Sequence, residues 1–252
     1  MTRVAIVTGA TGGIGEKFIQ RISTMDDIEE VWAIGRNREK LDRLKEEHSN
    51  VRVIEADIGN GGMKVINDLI REEDPDIRML VNNAGVAYMG DFSKMTCDQV
   101  VSFCKVNCSA PSELMLICLP FMHEGSRILN ISSASSFQPN PYLSVYSASK
   151  AYLKNLSRAL NHELRERKIT VTSVCPYWVD TGMLPREKDG KKINYPGMVS
   201  ADLVVDKALK DSSKGKDMSV PGFFAQYFRI YSKITPTSIV MRQWVAGIRK
   251  YL

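Results

Sequence analysis

Short apolar runs alternate along the chain with longer stretches whose apolar residues recur every third or fourth position. The runs 3–8, 30–34, 51–56, 78–82, 126–131, 169–175 and 217–220 are rich in β-branched and aliphatic residues. Several are almost continuously apolar, as strands covered on both faces must be. Amphipathic spacing predicts helices near 13–24, 37–48, 61–72, 97–119, 145–167, 201–210 and 238–250. Strand–helix alternation predicts an α/β fold, a doubly wound parallel sheet of about seven strands with helices on both faces. One region breaks the rhythm. Residues 183–216 hold Pro185, Gly190, Pro196, Gly197 and Gly215 among many charges. Such an insertion after a late strand reads as a substrate loop or lid.

Composition narrows the class. The chain has 252 residues, 44% hydrophobic and 25% charged. That apolar content excludes disorder as the main state. A chain of this length buries roughly 75% of its extended surface, enough for one large core. A single domain over 1–252 is expected, with 217–252 as a substrate-side extension. The formal charge of +5 is mild and not clustered enough to predict a nucleic-acid partner. Cys97, Cys104, Cys108, Cys118 and Cys175 are odd in number and match no zinc ligand spacing. They read as reduced, buried thiols in a cytoplasmic setting. His48, His123 and His162 show no ligand spacing either, so no metal is expected. The first residues lack a signal-peptide pattern, and the longest apolar run, 114–121, contains Pro120. No integral membrane span is predicted.

Two stretches carry chemistry. The first strand runs directly into Thr8-Gly9-Ala10-Thr11-Gly12-Gly13-Ile14-Gly15, followed by a helix. A glycine turn here lets backbone approach a pyrophosphate, and the helix N-terminus supplies free N–H groups and a positive dipole end. An NAD site would place an acid about 20 residues after the last glycine. That count reaches Gly35, with Arg36 next and no carboxylate. A guanidinium pairs with a 2′-phosphate, so NADP(H) is preferred over NAD(H).

The second stretch is Tyr146-Ser147-Ala148-Ser149-Lys150, near the start of a long helix. Tyr146 and Lys150 are four apart and share a face. An ammonium beside a phenol lowers its pKa toward the range of a general acid/base. Upstream, the 126–131 strand ends in Ser132-Ser133-Ala134-Ser135-Ser136, at the rim where open α/β sheets bind ligands. Taken alone, a Tyr-x3-Lys pair is more often packing than catalysis.

Together these residues resemble the short-chain dehydrogenase/reductase family over roughly residues 3–182. The resemblance implies a single Rossmann-type domain. The turn from Thr8 to Gly15 is similar to the family's TGxxxGxG motif, and implies cofactor contacts at Gly9, Thr11, Gly12, Gly13, Ile14 and Gly15. Asp57, with Ile58, matches the position of the acid that meets the adenine. Asn82-Asn83-Ala84-Gly85 matches the NNAG motif, placing Asn83, Ala84 and Gly85 at the cofactor. Asn107 falls at the family's helix asparagine, implied to hold a water in a proton relay. Ser133 lies 13 residues before Tyr146, the family spacing of the catalytic serine. Asn107, Ser133, Tyr146 and Lys150 then form the implied catalytic tetrad, with Tyr146 and Lys150 also touching the cofactor. Pro176, Val179 and Thr181 resemble the segment holding the nicotinamide carboxamide. Two departures stand out. Tyr177 follows Pro176 where the family has glycine, and Gly12 stands where NADP-preferring members often carry a cation. Homodimers or homotetramers through the helices near 97–119 and 145–167 are implied by the family alone.

The resemblance implies interconversion of a ketone and a secondary alcohol. Met183, Leu184, Pro185, Tyr195, Met198, Phe223, Phe224, Tyr227, Phe228 and Tyr231 predict a hydrophobic substrate pocket. A hydroxysteroid or bile-acid-type compound is the first expectation and a 3-oxoacyl thioester the alternative, its carrier meeting Arg186, Lys188, Lys191 and Lys192. A non-enzymatic NADP-binding scaffold is a third reading, disfavoured by the complete tetrad. Residues 238–252 form a basic amphipathic pattern, with Met241, Trp244, Val245 and Ile248 on one face. Docking on the parent domain or a neighbouring subunit is expected there, with weak membrane-surface association as the other reading.

Overall fold

The computed structural model describes residues 1–182, 184, 187, 188 and 191–249, with only the backbone described for Lys188, Lys191 and Lys192. Arg186, Met183 and Pro185 therefore lie outside the described residues, as does the end of the basic C-terminal pattern from Lys250 onward.

The chain order is β1 (Arg3–Thr8), α1 (Gly13–Ile22), β2 (Glu30–Gly35), α2 (Arg38–Glu47), β3 (Val51–Glu55), α3 (Gly62–Glu73) and β4 (Asp76–Asn82). Then come α4 (Cys97–Cys104), α5 (Ala110–Cys118), β5 (Arg127–Ile131), α6 (Ser144–Glu163) and β6 (Thr170–Val174). The last part holds four two-residue strands, β7 (Val179–Asp180), β8 (Glu187–Lys188), β9 (Lys191–Lys192) and β10 (Val199–Ser200), followed by α7 (Ala201–Ser212), β11 (Met218–Ser219), α8 (Phe223–Ile234) and α9 (Thr237–Ile248). Seven strands form one sheet in the order β11-β6-β5-β4-β1-β2-β3, every pair parallel. All seven predicted strands are present, within two residues of their expected ends.

Pleating sends neighbouring side chains to opposite faces, so each strand feeds two cores. Ala5 and Val7 of β1 join Phe18, Ile19 and Ile22 of α1 and Val204 and Val205 of α7. Val4 and Ile6 join Ile66 and Ile70 of α3 and Leu114 and Met115 of α5. Arg78 sits at a register shift between β1 and β4: Val4 pairs with Ile77, but Ala5 pairs with Met79. At the far edge, Asp211 ties the end of α7 to β11. Burial opposes its charge, but hydrogen bonds from Lys207, Lys216 and Ser219 outweigh that and hold its pKa down to about 2.

The structure corrects three expectations. The helix expected over 97–119 is broken by a π turn at Lys105–Ser109. Pro111 has no N–H to give to the Asn107 carbonyl, so the regular ladder cannot pass this point. Residues 223–234, left without an assigned element, form α8. Their polar residues Gln226, Arg229 and Lys233 recur at helical spacing, so the periodicity is present there and the strand–helix pattern passed over it. The cysteines are free, but Cys97 and Cys104 are exposed and only Cys118 and Cys175 are buried.

Candidate active site

Sheet order reverses between β1 and β4, and ligands bind open α/β sheets at such a switch point. Here the turn after β1 is clamped by the turn after β4. The Thr8 hydroxyl accepts from the N–H groups of Asn83 and Ala84, both at 3.1 Å. The Asn83 amide donates back to the carbonyls of Thr8 (3.2 Å) and Gly9 (2.9 Å). Gly9 has φ +62°, and a methyl there would lie 2.8 Å from the Ala84 Cα. A methyl on Gly15 would lie 2.2 Å from the Gly9 carbonyl oxygen. These glycines let the turn close. Gly12 caps α1 without a side-chain hydrogen bond, which leaves the first N–H groups of the helix for a ligand.

From this turn a cleft of about 1400 Å³ runs across the carboxyl ends of the strands. It is lined by Gly9, Thr11, Gly12, Gly13, Ile14, Arg36, Asp57, Ile58, Asn83, Ala84, Gly85, Ser133, Tyr146, Lys150, Pro176, Val179 and Thr181. Two of the expected residues, Gly15 and Asn107, are not in that lining. Gly15 packs beneath the turn, and Asn107 stands behind the wall. At the outer end, the Arg36 guanidinium lies 3.7 Å from the Asp57 carboxylate and remains largely exposed. Asn37 and Lys40 line the same end, and sequence reasoning had missed both. The position of α2 brings them there: Asn37 caps this helix by accepting from the Lys40 N–H.

The reactive groups gather where β5 gives way to a short 3-10 turn, Ala134–Phe137, capped by Ser133. Ser132 points elsewhere, its hydroxyl donating to the Lys150 carbonyl at 2.7 Å in the buried interior. Ser133 instead lines the cleft together with Tyr146, its hydroxyl accepting from the Ser135 N–H at 3.2 Å. Desolvation pushes the Tyr146 phenol above its usual pKa, and the nearby Ser133 hydroxyl pulls it partly back. Lys150 is 4% exposed and lies 5.6 Å from the Tyr146 ring centre. Burial lowers its pKa to about 8, against a smaller upward pull from the Cys108 and Cys175 thiols. The expected lowering of the phenol by Lys150 is therefore not seen. In this arrangement desolvation outweighs other influences on both groups.

Asn107 holds the wall in place. Its amide accepts from the Val86 N–H and donates to the Val86 carbonyl, both at 2.9 Å, and donates to the Ser149 hydroxyl at 3.1 Å. The π turn is what aims this side chain across to the strand extension after β4. A methyl on Gly85 would lie 3.3 Å from both the Asn107 Oδ1 and the Lys150 Nζ.

Beyond Tyr146 the cleft becomes aromatic. Tyr177 stacks on Phe228 at 5.0 Å, and Trp178 packs on Tyr195 at 5.1 Å and on Trp244 at 6.4 Å. Of the expected pocket residues, Leu184, Tyr195 and Phe228 line the cleft. Met198, Phe223, Phe224, Tyr227 and Tyr231 do not; the last four lie on α8, which presents Phe228 to the cleft and turns its other faces away. Trp178 and Trp244 were missed as cleft residues. Trp244 turns inward from α9, and its indole N–H donates to the Pro141 carbonyl at 2.9 Å. The apolar face of α9 thus docks on the protein, with Val240 and Ile248 buried. Two buried side-chain atoms in the cleft wall, Ser135 Oγ and Gln138 Oε1, have no hydrogen-bond partner among the described residues. No group of three metal-ligating side chains occurs among the described residues.

The sheet, the glycine turn and the cleft define a Rossmann-type α/β protein. Comparison with known proteins names its family: residues 3–192 match the short chain dehydrogenase model, and the chain belongs to that family of oxidoreductases. It is 37% identical to a very-long-chain 3-oxoacyl-CoA reductase of Anas platyrhynchos, over 94% of this chain and 77% of that protein. It is 35% identical to the inactive hydroxysteroid dehydrogenase-like protein 1 of Homo sapiens, over 72% of this chain. The match spans only 57% of that human protein's length. Among solved structures, a short-chain dehydrogenase from Sphingobium yanoikuyae in complex with NADPH superimposes with a TM-score of 0.75 at 27% identity, covering 87% of each chain.

Proposed function

We propose that this chain is an NADP(H)-dependent reductase that interconverts a ketone and a secondary alcohol on a hydrophobic substrate. The observation that carries the reading is the gathering of Ser133, Tyr146 and buried Lys150 on the wall of one cleft that begins at the glycine turn and ends among aromatic rings. The residues fit a dinucleotide: Gly9 and Gly15 let the turn close, Gly13 keeps open the space toward Thr181, and the α1 N–H groups are left for phosphate. Gly9, Thr11, Gly12, Gly13 and Ile14 would hold the pyrophosphate, Asp57, Ile58, Asn83, Ala84 and Gly85 the adenosine side, and Pro176, Val179 and Thr181 the nicotinamide. Arg36, with Lys40 beside it, would meet the 2′-phosphate that distinguishes NADP(H) from NAD(H). When bound, the cofactor supplies or accepts the hydride at the substrate carbon.

The chain's own residues manage the oxygen and its proton. Ser133 donates a hydrogen bond to the substrate oxygen. Tyr146 gives that oxygen its proton in the reductive direction and takes it back in the oxidative one. Both donors sit where charge develops, which is where preorganised hydrogen bonds lower a barrier. The Lys150 ammonium, present at neutral pH given its pKa of about 8, lies 5.6 Å from the Tyr146 ring, on the same wall as the phenolate left behind. Asn107 positions Lys150 through the Val86 segment and Ser149. Residues 217–252 serve as the substrate-side extension of a single domain, contributing Phe228 and Trp244.

Two substrate classes fit the aromatic wall, a hydroxysteroid and a 3-oxoacyl thioester. The near-full-length likeness to the 3-oxoacyl-CoA reductase favours the thioester. NADPH consumption with long-chain 3-oxoacyl-CoA, a ketosteroid and a small ketone decides. Turnover of the thioester above the others is expected. Turnover of none of them, with NADPH bound, returns the chain to the class of cofactor-binding scaffolds.

A further inference from the structure

Helix α8 carries large apolar side chains on two sides. Phe228 faces the cleft. Phe223, Tyr227, Ile230 and Ile234 recur at helical spacing and form a separate outer stripe. They are 77%, 50%, 62% and 76% exposed. A helix packed on its own domain turns its apolar stripe inward. A contiguous apolar stripe turned outward marks a surface that something else covers.

The charge of this segment identifies what covers it. Asp217 is the last acidic residue of the chain. Residues 218–252 hold five cations, Arg229, Lys233, Arg242, Arg249 and Lys250, and no carboxylate side chain. The whole formal charge of +5 therefore belongs to this segment, and the rest of the chain is balanced. Lys233, Arg242 and Arg249 are exposed. A second copy paired two-fold through α8 would bring these like charges against each other. An anionic lipid surface complements both the apolar stripe and the cations. The 12 residues of α8 extend about 18 Å, far short of a bilayer core, so the helix would lie along the surface.

We propose that α8 docks this protein onto an anionic lipid bilayer. Phe223, Tyr227, Ile230 and Ile234 enter the boundary between headgroups and acyl chains, and the exposed cations of α8 and α9 meet the headgroup phosphates. Phe228, on the same helix, places the aromatic end of the cleft next to that surface. The docking face is independent of which ketone the cleft accepts.

Flotation with vesicles tests this. Vesicles of phosphatidylcholine with roughly 30% phosphatidylserine should carry the protein upward at low salt, and phosphatidylcholine alone should carry much less. The triple variant Phe223→Gln, Ile230→Gln, Ile234→Gln should lose at least about tenfold in partitioning while keeping the parental Tm, since all three side chains are exposed. The pair Lys233→Gln, Arg242→Gln should lose the preference for anionic vesicles. Wild-type protein that stays soluble with anionic vesicles overturns the proposal, as does a triple variant that floats equally well. So does a dimer, seen by sedimentation, that the triple variant dissolves without any vesicle binding, since the face then belongs to a second copy.

Discussion

The Lys150 ammonium donates a 2.8 Å hydrogen bond to the carbonyl of Ile131, the last residue of β5. This contact draws a cation into the interior, where burial lowers its pKa to about 8 from the ordinary 10.5. The unfolded chain therefore binds more protons than the folded one between about pH 8 and pH 10.5. Stability contributed by this group must rise with pH across that window, by up to about 3 kcal/mol. Tyr146, whose pKa is raised, works in the opposite sense once pH passes its ordinary value of 10. Urea denaturation of the wild type and of Lys150→Met at pH 7.5 and pH 9.5 reads the difference, with both pH values chosen to straddle the lower part of the window, about one unit above and below pH 8.5. The wild type should gain relative to the variant as pH rises.

Removing the Tyr146 hydroxyl removes the proton donor and little else. Tyr146→Phe should lower kcat by about 1000-fold or more, in the range of general acid–base contributions. Binding of NADPH, followed by quenching of tyrosine and tryptophan fluorescence, should stay within a few-fold of wild type. Near-normal turnover would remove Tyr146 from its proposed role.

Arg36 is largely exposed, and its ion pair with Asp57 is long, so its loss should hardly affect folding. Arg36→Ala should weaken NADPH binding by about 10- to 100-fold, the value of one or two charge-assisted hydrogen bonds. Binding of NADH should change little. An equal loss for both cofactors would rule out recognition of the 2′-phosphate.

Asn107 is 1% exposed and satisfies both polar groups of Val86. Asn107→Ala leaves those groups and Ser149 without their partner. A loss of about 2–4 kcal/mol is expected from chemical denaturation. At a temperature where the variant is folded, kcat should also fall, because Lys150 and Gly85 share the wall that Asn107 holds. Unchanged stability would show that Val86 finds other partners.

Tyr177 lines the cleft next to Pro176, and its ring stacks on Phe228 and Phe224. Tyr177→Gly should cost about 1 kcal/mol in lost ring contacts alone, with a further loss from burial. The KM of a long hydrophobic ketone should rise, while that of a small ketone stays near its original value. A parallel change in both would mean that Tyr177 shapes the reacting centre rather than the aromatic end.

Much of this architecture is written in local patterns. The seven strands are legible because strands buried on both faces must be nearly all apolar, as in RVAIVT of β1. The glycine turn is legible because only glycine fits within 3 Å of neighbouring backbone at Gly9 and Gly15. The spacing implied by the family resemblance separated Ser133 from Ser132, whose hydroxyl the structure engages with the Lys150 carbonyl. Tertiary packing decided the rest. Periodicity states which residues share a face, but not what covers that face. Trp244 belonged to an apolar stripe that fitted a membrane as well as a protein surface, until packing on Trp178 and Pro141 turned it inward. On helix α8 both Phe223 and Phe228 lie off the polar stripe of Gln226, Arg229 and Lys233, and only placement separates Phe228 in the cleft from Phe223 in solvent. The pKa values of Tyr146 and Lys150 were beyond the sequence for the same reason. Their four-residue spacing predicts a shared face, but the desolvation that moves both pKa values comes from β5, α6 and the cleft wall brought together only by the folded chain.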